Sequence, residues 1–287
     1  MTKRPPWLTV RVQSAREAQG MQVVRSVLGR HRLTTVCQGA GCPNAAECWG
    51  RRTATFMLLG DTCTRACRFC AVQTGNPHGA VDRDEPERLA EAVAELGLAY
   101  VILTSVDRDD LDDGGSSLFA RAIRVLKERL PQVEVEVLVP DFSGNVEAIR
   151  AVAEAGADVV GHNLETVRRL SPVWRDPRAS YDQSLALLAR FKALAPKGLV
   201  KSSLILGLGE TNEEVLQALR DLREAGVDLL TLGQYLRPNR TAGPVARYLS
   251  LAEFDQLAGE ARSIGFRSVV AGPLVRSSYH AQELRKS

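Results

Sequence analysis

From residue 53 to residue 264 the chain alternates apolar runs of strand length with amphipathic runs of helix length, and it does so six times. The strand-like runs are 53–59, 100–104, 133–139, 158–162, 199–206 and 228–235. Each is followed by a helix whose ends carry their own signals. Asp84 and Pro86 open the first, Leu89, Val93 and Leu96 share its apolar face, and Gly97 closes it. Pro131 stops the second, Gly156 the third and Pro196 the fourth. Ser180 with Gln183, Thr211 with Glu214 and Ser250 with Glu253 have capping-box spacing at the starts of the last three. Serial strand–helix units force a parallel sheet with covering helices, because parallel neighbours need a crossover of helix length. Such a sheet closes wholly or partly into a barrel, and six units fall short of the roughly eight of a full one. Strand 199–206 carries Lys201 and Ser203 at alternate positions. A parallel strand buried on both faces is apolar throughout, so the alternation predicts a wide, polar lumen.

The chain has 287 residues, 45% hydrophobic and 25% charged, enough for one barrel-sized domain with extensions. The expected division is an N-terminal extension over 1–52, the partial barrel over 53–266 and a C-terminal extension over 267–287. In the first, Pro5 and Pro6 give an extended start. Ser14 and Glu17 then offer a capping box to a helix that packs Val23, Val24, Val27 and Leu28 onto the main body. A loop with Gly39, Gly41, Pro43 and Asn44 follows. The net charge of +3 without a long basic run gives no reason to expect nucleic acid. No run reaches the length of a membrane span, and no apolar signal core follows Met1, so the expectation is a cytoplasmic protein with no membrane partner.

All six cysteines fall into two triplets, which points to metal or cluster sites in a reducing compartment rather than a disulfide framework. Cys63, Cys67 and Cys70 stand as C-x-x-x-C-x-x-C in DTCTRACRFCAV, in the loop after the first strand. A four-iron cubane takes four ligands, so three close thiolates leave one iron open. Cys67 and Cys70 are also half of a zinc site by spacing, but no second pair follows. Cys37, Cys42 and Cys48 are more widely spaced. By themselves they fit scattered thiols or zinc nearly as well as a second cluster.

The C-x-x-x-C-x-x-C loop behind an apolar strand resembles the signature of the radical S-adenosylmethionine (SAM) enzymes. With VCQGAGCPNAAECW, TSVDRDDLDDGG, EVLVPDF, HNLETV, GLGET, GQYL and GPLVRSSYHA in that order, the chain from about Val36 to Ala281 resembles the lipoyl synthase family. The resemblance implies an α/β fold, a partial (β/α)6 TIM-like radical SAM barrel with N- and C-terminal extensions. It implies two 4Fe-4S clusters. Cys63, Cys67 and Cys70 would bind the one that holds SAM, and Cys37, Cys42 and Cys48 an auxiliary one whose fourth ligand is Ser278, with Ser277 second in order. The implied reaction inserts two sulfur atoms, at C6 and C8 of a protein-bound octanoyl group, with the auxiliary cluster as sacrificial source. The implied partners are octanoylated lipoyl carrier domains (2-oxoacid dehydrogenase E2 subunits and the glycine cleavage H protein), reduced ferredoxin or flavodoxin, and an iron-sulfur cluster carrier protein. Ser203 stands where the family tends to have glycine, and Arg240 to Gly243 lacks the family's usual histidine.

Barrel ligands sit at the C-terminal ends of strands, and there fall Thr104 with Ser105, Asn163 with Glu165, and Gly207 to Glu210. These are assigned to SAM: Ser105 to its methionine end, Asn163 or Glu165 to the ribose, and Gly207 and Gly209 to close backbone approach. Phe69 is assigned a place beside the adenine, and Arg276 to holding the tail. Asp107, Arg108, Asp109, Asp110, Asp112 and Asp113 lack the spacing of a calcium loop and are read as a structural, substrate-facing loop. His162 is read as structural. Two other readings fit part of this pattern: a radical SAM enzyme of biotin-synthase type, and a non-catalytic zinc module.

Overall fold

The computed structural model describes residues 5–8, 15–39, 42, 44–50 and 54–286. They form two compact units, the first from 10–65 and 71–160, the second from 1–9, 66–70 and 161–287. Ser14, Gly41, Pro43 and Thr53, and the side chain of Glu17, lie outside the described residues, so the expected first capping box does too.

The first unit opens with α1 (Ala15–His31), which packs on α3 and α4 defined below through buried Val24, Val27 and Leu28. Val23 is 42% exposed: successive helical residues are about 100° apart, and only Val24 of the pair faces inward. After β1 (Thr34–Thr35), α2 (Val36–Gly39) and α3 (Ala45–Gly50) comes β2 (Thr55–Leu58), antiparallel to β1. The two-residue strands β3 (Thr62–Cys63) and β4 (Gln73–Thr74) pair with each other around the cysteine loop. Then α4 (Glu85–Leu96), β5 (Tyr100–Ser105), α5 (Ser116–Arg129), β6 (Glu134–Leu138), α6 (Val146–Ala153) and β7 (Val159–Gly161) alternate. β2, β5 and β6 pair in parallel. α4 buries Leu89, Val93 and Leu96 and ends on left-handed Gly97, φ 62°, as its sequence requires. Asp84 occupies its N-cap position without accepting a capping bond, and α6 starts instead on a working cap, Asn145, which accepts from the Glu147 and Ala148 amides.

The second unit contains α7 (Ser171–Trp174), α8 (Tyr181–Leu194), β8 (Leu199–Leu206), α9 (Asn212–Glu224), β9 (Leu229–Gln234), α10 (Leu251–Ile264), β10 (Ser268–Gly272) and α11 (Ala281–Lys286). β8, β9 and β10 pair in parallel. Both capping boxes at Thr211–Glu214 and Ser250–Glu253 are closed in both directions, and Ser180 accepts from the Gln183 amide. β10 lies beyond the six expected units, in the stretch the sequence assigned to the tail. Its five residues, with Gly272 at the end, are too short and mixed to announce a strand; pairing along β9 makes them one. On β8 the alternating Lys201 and Ser203 are buried, and so is Ser202, which faces the other side of the strand.

Candidate active site

The first half of the cysteine loop belongs to the first unit. Cys63 ends β3, its carbonyl accepts from the Gly75 amide at 2.9 Å, and its sulfur accepts from the Arg65 amide at 3.4 Å. Arg65, its side chain 3% exposed, is gripped by carboxylates. Its Nε and Nη2 reach Asp109 at 2.9 and 2.7 Å, and its Nη1 and Nη2 each reach Asp141 at 2.8 Å. Asp107 adds a third charge at 3.3 Å. Burial alone would lower the pKa of this guanidinium; the bonds to Asp109 and Asp141 and the charge of Asp107 outweigh it and raise it.

The acidic run thereby resolves into separate tasks. Asp107 and Asp109 hold Arg65. Asp110 pairs with buried Arg108 at 2.7 Å, and that bond keeps its carboxyl at about 2. Asp113 accepts from the Gly115 and Ser117 amides and so caps α5. Asp112 is left to line a cleft of about 260 Å³ with Arg65, Asp107, Asp109, Pro140 and Ser143. Thr104 and Ser105, at the tip of β5, donate to the carbonyls of Leu138 and Val106.

In the second unit, Asp176 takes the other half of the loop: its carboxylate accepts from the Ala66 amide at 2.9 Å, and its own amide donates to the Cys67 sulfur at 3.3 Å. Bonds from Arg178, then those from the Ala66 and Arg178 amides, hold the Asp176 carboxyl well below the usual range. The Cys70 amide donates to the Cys67 carbonyl at 3.0 Å, Cys70 is exposed and Phe69 is half-buried. Past β7, Glu165 sits at φ 70° and bridges to β8, its amide donating to the Ser203 carbonyl and its carbonyl accepting from the Ile205 amide. Asn163 donates to its carboxylate at 3.1 Å. Glu165 keeps partial solvent access but lies deep in the fold, and desolvation raises its pKa against the pull of Arg175 and Asn163. At the tip of β8, Glu210 accepts from the Gly207 and Leu208 amides at 2.6 and 2.9 Å. Gly207, φ 95°, has no room for a side chain: a Cβ there would lie 2.2 Å from the Gln234 amide nitrogen. His162 contacts the Ser184 hydroxyl at 2.9 Å, in the structural role read for it.

Arg276 donates to the carbonyls of Gln234 and Val275, which ties the tail to the end of β9. Ser278 lies in the turn closed by the Tyr279 amide on the Arg276 carbonyl, 2.9 Å. In the first unit Cys37 lies on α2 and Cys48 on α3, joined by local bonds: the Cys42 amide to the Cys37 carbonyl and the Cys48 amide to the Asn44 carbonyl. Spacing could not have found Asp176 or Asp141 as partners of the cysteine loop, because they lie 110 and 76 positions from the residues they bind.

None of the six cysteines is in a disulfide. Among the described residues no three Cys, His, Asp or Glu side chains surround a single ion. A cubane on this loop would instead take one thiolate at each of three iron corners and leave the fourth open, and the backbone N–H bonds to the Cys63 and Cys67 sulfurs are of the kind that favour the anionic, ligating form. The donor set therefore fits an iron-sulfur cluster.

Residues 57–222 match the model of the radical SAM superfamily. The chain is 56% identical over 286 residues to a lipoyl synthase of Pyrobaculum arsenaticum, covering 99% of this chain and 95% of that protein. It is 55% identical to the lipoyl synthase of Thermus thermophilus, covering 98% and 86%. The chain belongs to the lipoyl synthase family. Its fold is also that of the FeFe-hydrogenase maturase HydG of Carboxydothermus hydrogenoformans, at a TM-score of 0.61 and 11% identity over 93% of this chain and 68% of that one. As a lipoyl synthase family member it is a radical SAM enzyme, with SAM and 4Fe-4S clusters as cofactors. Of the positions read from the sequence as departures from the lipoyl synthase pattern, Ser203 is buried opposite Thr231 in the β8–β9 register, and Gly243 abuts Trp174.

Proposed function

We propose that the protein inserts two sulfur atoms, at C6 and C8 of an octanoyl chain amide-linked to a lysine of a lipoyl carrier domain, and so forms the lipoyl cofactor. The observation that supports this reading best is family membership over 99% of the chain with two separate triplets of cysteines outside any disulfide and the R-S-S-Y tail all present. Cys63, Cys67 and Cys70 would hold the SAM cluster, and Cys37, Cys42 and Cys48 with Ser278 the auxiliary one; bound, these groups supply the 5'-deoxyadenosyl radical and the sulfur.

The chain's own residues then have positional work. C6 and C8 carry no activating group, so rate depends on holding those carbons in place and keeping water from the radical. Asn163 and Glu165 orient the ribose, a raised Glu165 pKa suiting a carboxyl that shares hydrogen bonds with hydroxyls. Phe69, in the same unit, is assigned to the adenine of this ligand and Thr104 and Ser105, by sequence, to its methionine end, and Glu210 keeps the glycine turn at the tip of β8 shaped for backbone approach. Arg276 anchors the tail on the Gln234 carbonyl, and its own carbonyl closes the turn that carries Ser278. The protein substrates are the E2 and H-protein carrier domains, the reductant a ferredoxin or flavodoxin, and an iron-sulfur carrier restores the auxiliary cluster. Among the described residues no helix is long and apolar enough to cross a membrane, and we assign the reaction to the cytoplasm.

The test is an anaerobic reaction of reconstituted protein with SAM, a reductant and an octanoylated carrier peptide, read by mass. Expected is a peptide carrying two sulfurs, with two 5'-deoxyadenosines released per product and heavy sulfur transferred from clusters built with labelled sulfide. SAM cleavage with dethiobiotin conversion and an untouched octanoyl peptide would move the protein to the biotin-synthase type. Colourless protein carrying zinc without sulfide would end both readings.

A further inference from the structure

The cysteine loop between Ala66 and Arg68 is held at every residue by one patch of the second unit. Asp176 holds the first two by the bonds already described, accepting from the Ala66 amide and donating to the Cys67 sulfur. Arg68 is gripped on both sides of its backbone: its amide donates to the Trp174 carbonyl at 2.8 Å, and its carbonyl accepts from the Gly243 amide at 2.8 Å. Its guanidinium lies 5.5 Å over the Trp174 ring and donates to the Val173 carbonyl.

Each part of this patch is itself fixed. Arg178 binds the Asp176 carboxylate through Nε at 2.8 Å and Nη2 at 3.1 Å, and the Arg178 amide adds a bond at 3.1 Å. Tyr235 meets Trp174 edge-on at 5.3 Å and donates its hydroxyl to the Gly243 carbonyl at 2.8 Å. A Cβ on Gly243 would stand 2.4 and 2.6 Å from Trp174 ring atoms, so only glycine lets this backbone close on Arg68 while the indole stays in place.

We propose that Trp174, Asp176 and Gly243 are positioning residues that fix Ala66, Cys67 and Arg68, and with them the Cys67 sulfur, in the ligating arrangement before any cluster is assembled. The device would shorten the search that a four-residue spacing between Cys63 and Cys67 otherwise imposes. It also holds an N–H on the ligating sulfur, and such bonds raise a cluster's reduction potential. That this sulfur is a cluster ligand rests on the function proposed above; the order of the loop itself does not.

The test uses the full-length chain, iron-free and reconstituted, with Asp176→Ala, Arg178→Gln, Gly243→Ala and the double variant Gly243→Ala/Trp174→Leu. In the iron-free chain, amide hydrogen exchange of the peptide spanning 66–70 should rise at least about tenfold in Asp176→Ala and Gly243→Ala, the loss of about one hydrogen bond's worth of local stability. The double variant, which makes room for the new methyl, should recover part of that protection, and Arg178→Gln should give a smaller rise. In reconstituted protein, Asp176→Ala keeps the backbone N–H to the Cys67 sulfur but loses the carboxylate that fixes Ala66, so the SAM cluster should assemble at least about tenfold more slowly than in the parent, followed by its visible absorbance, while the auxiliary cluster keeps its iron. Exchange within twofold of the parent in both Asp176→Ala and Gly243→Ala, or cluster assembly at the parent's rate, would overturn the proposal. A parent protein that took up no cluster would overturn the proposed function and leave the exchange result standing.

Discussion

The two ends of the strands are built on different plans. Where strands begin, the two units repeat one device. Lys127, near the end of α5, donates to the Val133 carbonyl and to Asp158, whose carboxylate also accepts from the Val135 amide at 2.7 Å. Lys192, near the end of α8, donates to the Gly198 carbonyl at 3.1 Å and to Asp228 at 2.9 Å, and Asp228 accepts from the Val200 amide at 2.9 Å. Even the return bond is the same, with the Asp158 and Asp228 amides donating to Val135 and Val200, each at 2.8 Å. Each aspartate follows an Ala-Gly-x turn whose glycine, Gly156 or Gly226, takes a positive φ. Where strands end, nothing repeats: one unit has Arg65 among carboxylates, the other Glu165, Glu210 and Asp176 around strained or glycine-rich turns. Joining a helix to the next strand is a task the two units share, and at these junctions both meet it in the same way. The ligand-facing end carries different chemistry in each, which is why barrels separate stability from function along the strand axis.

Four changes test that separation, taken from the largest effect down. Cys63→Ala, Cys67→Ala or Cys70→Ala should abolish 5'-deoxyadenosine release with the folded chain intact, whereas Cys37→Ala, Cys42→Ala or Cys48→Ala should spare release and abolish sulfur insertion; chromatography of the nucleoside and mass of the peptide read the two. A Cys42→Ala protein that still makes lipoyl product would break the division between the triplets.

Arg65→Met probes a strand-end group that serves stability as well as the site. It leaves Asp141 buried without its cation and should cost about 3 kcal/mol in urea unfolding of the iron-free protein. A cost under half of that would mean the carboxylates relax to water, and Arg65 would belong with the purely functional groups.

Asp110 gives the pH dependence. Arg108 depresses its pKa to about 2, so its contribution is present above the ordinary carboxylate pKa and is lost as pH falls from about 4 to about 2. The parent should therefore lose about 2 kcal/mol across that window that Asp110→Asn does not lose, in urea midpoints followed from pH 5 downward. Parallel curves for the two proteins would remove Asp110 from the acid limb.

At the strand-start end, Lys127→Met and Lys192→Met should each cost about 1 kcal/mol, the worth of a partly exposed charge-assisted bond, with SAM cleavage unchanged. The double variant should cost the sum within about 0.5 kcal/mol if the two latches act independently. A change in 5'-deoxyadenosine release in either single variant would show that the two ends are coupled.

By itself the sequence determined the succession of strands and helices, the capping boxes at Thr211 and Ser250, the grouping of the cysteines and the family. All of these are written in neighbours along the chain: hydrophobic period, a cap and its residue three places on, cysteines within one loop. Only the tertiary structure made β10 a strand, turned Glu136 inward to take the Tyr100 hydroxyl, and divided the acidic run into clamps on Arg65, a partner for Arg108 and a cap for α5. The same holds for the bond from Asp176 to Cys67, which spans 109 positions. Local free energy is set by adjacent residues and leaves a periodic mark. The partner of a buried charge or a ligating sulfur is whatever the fold brings to it, and no spacing along the chain records that choice.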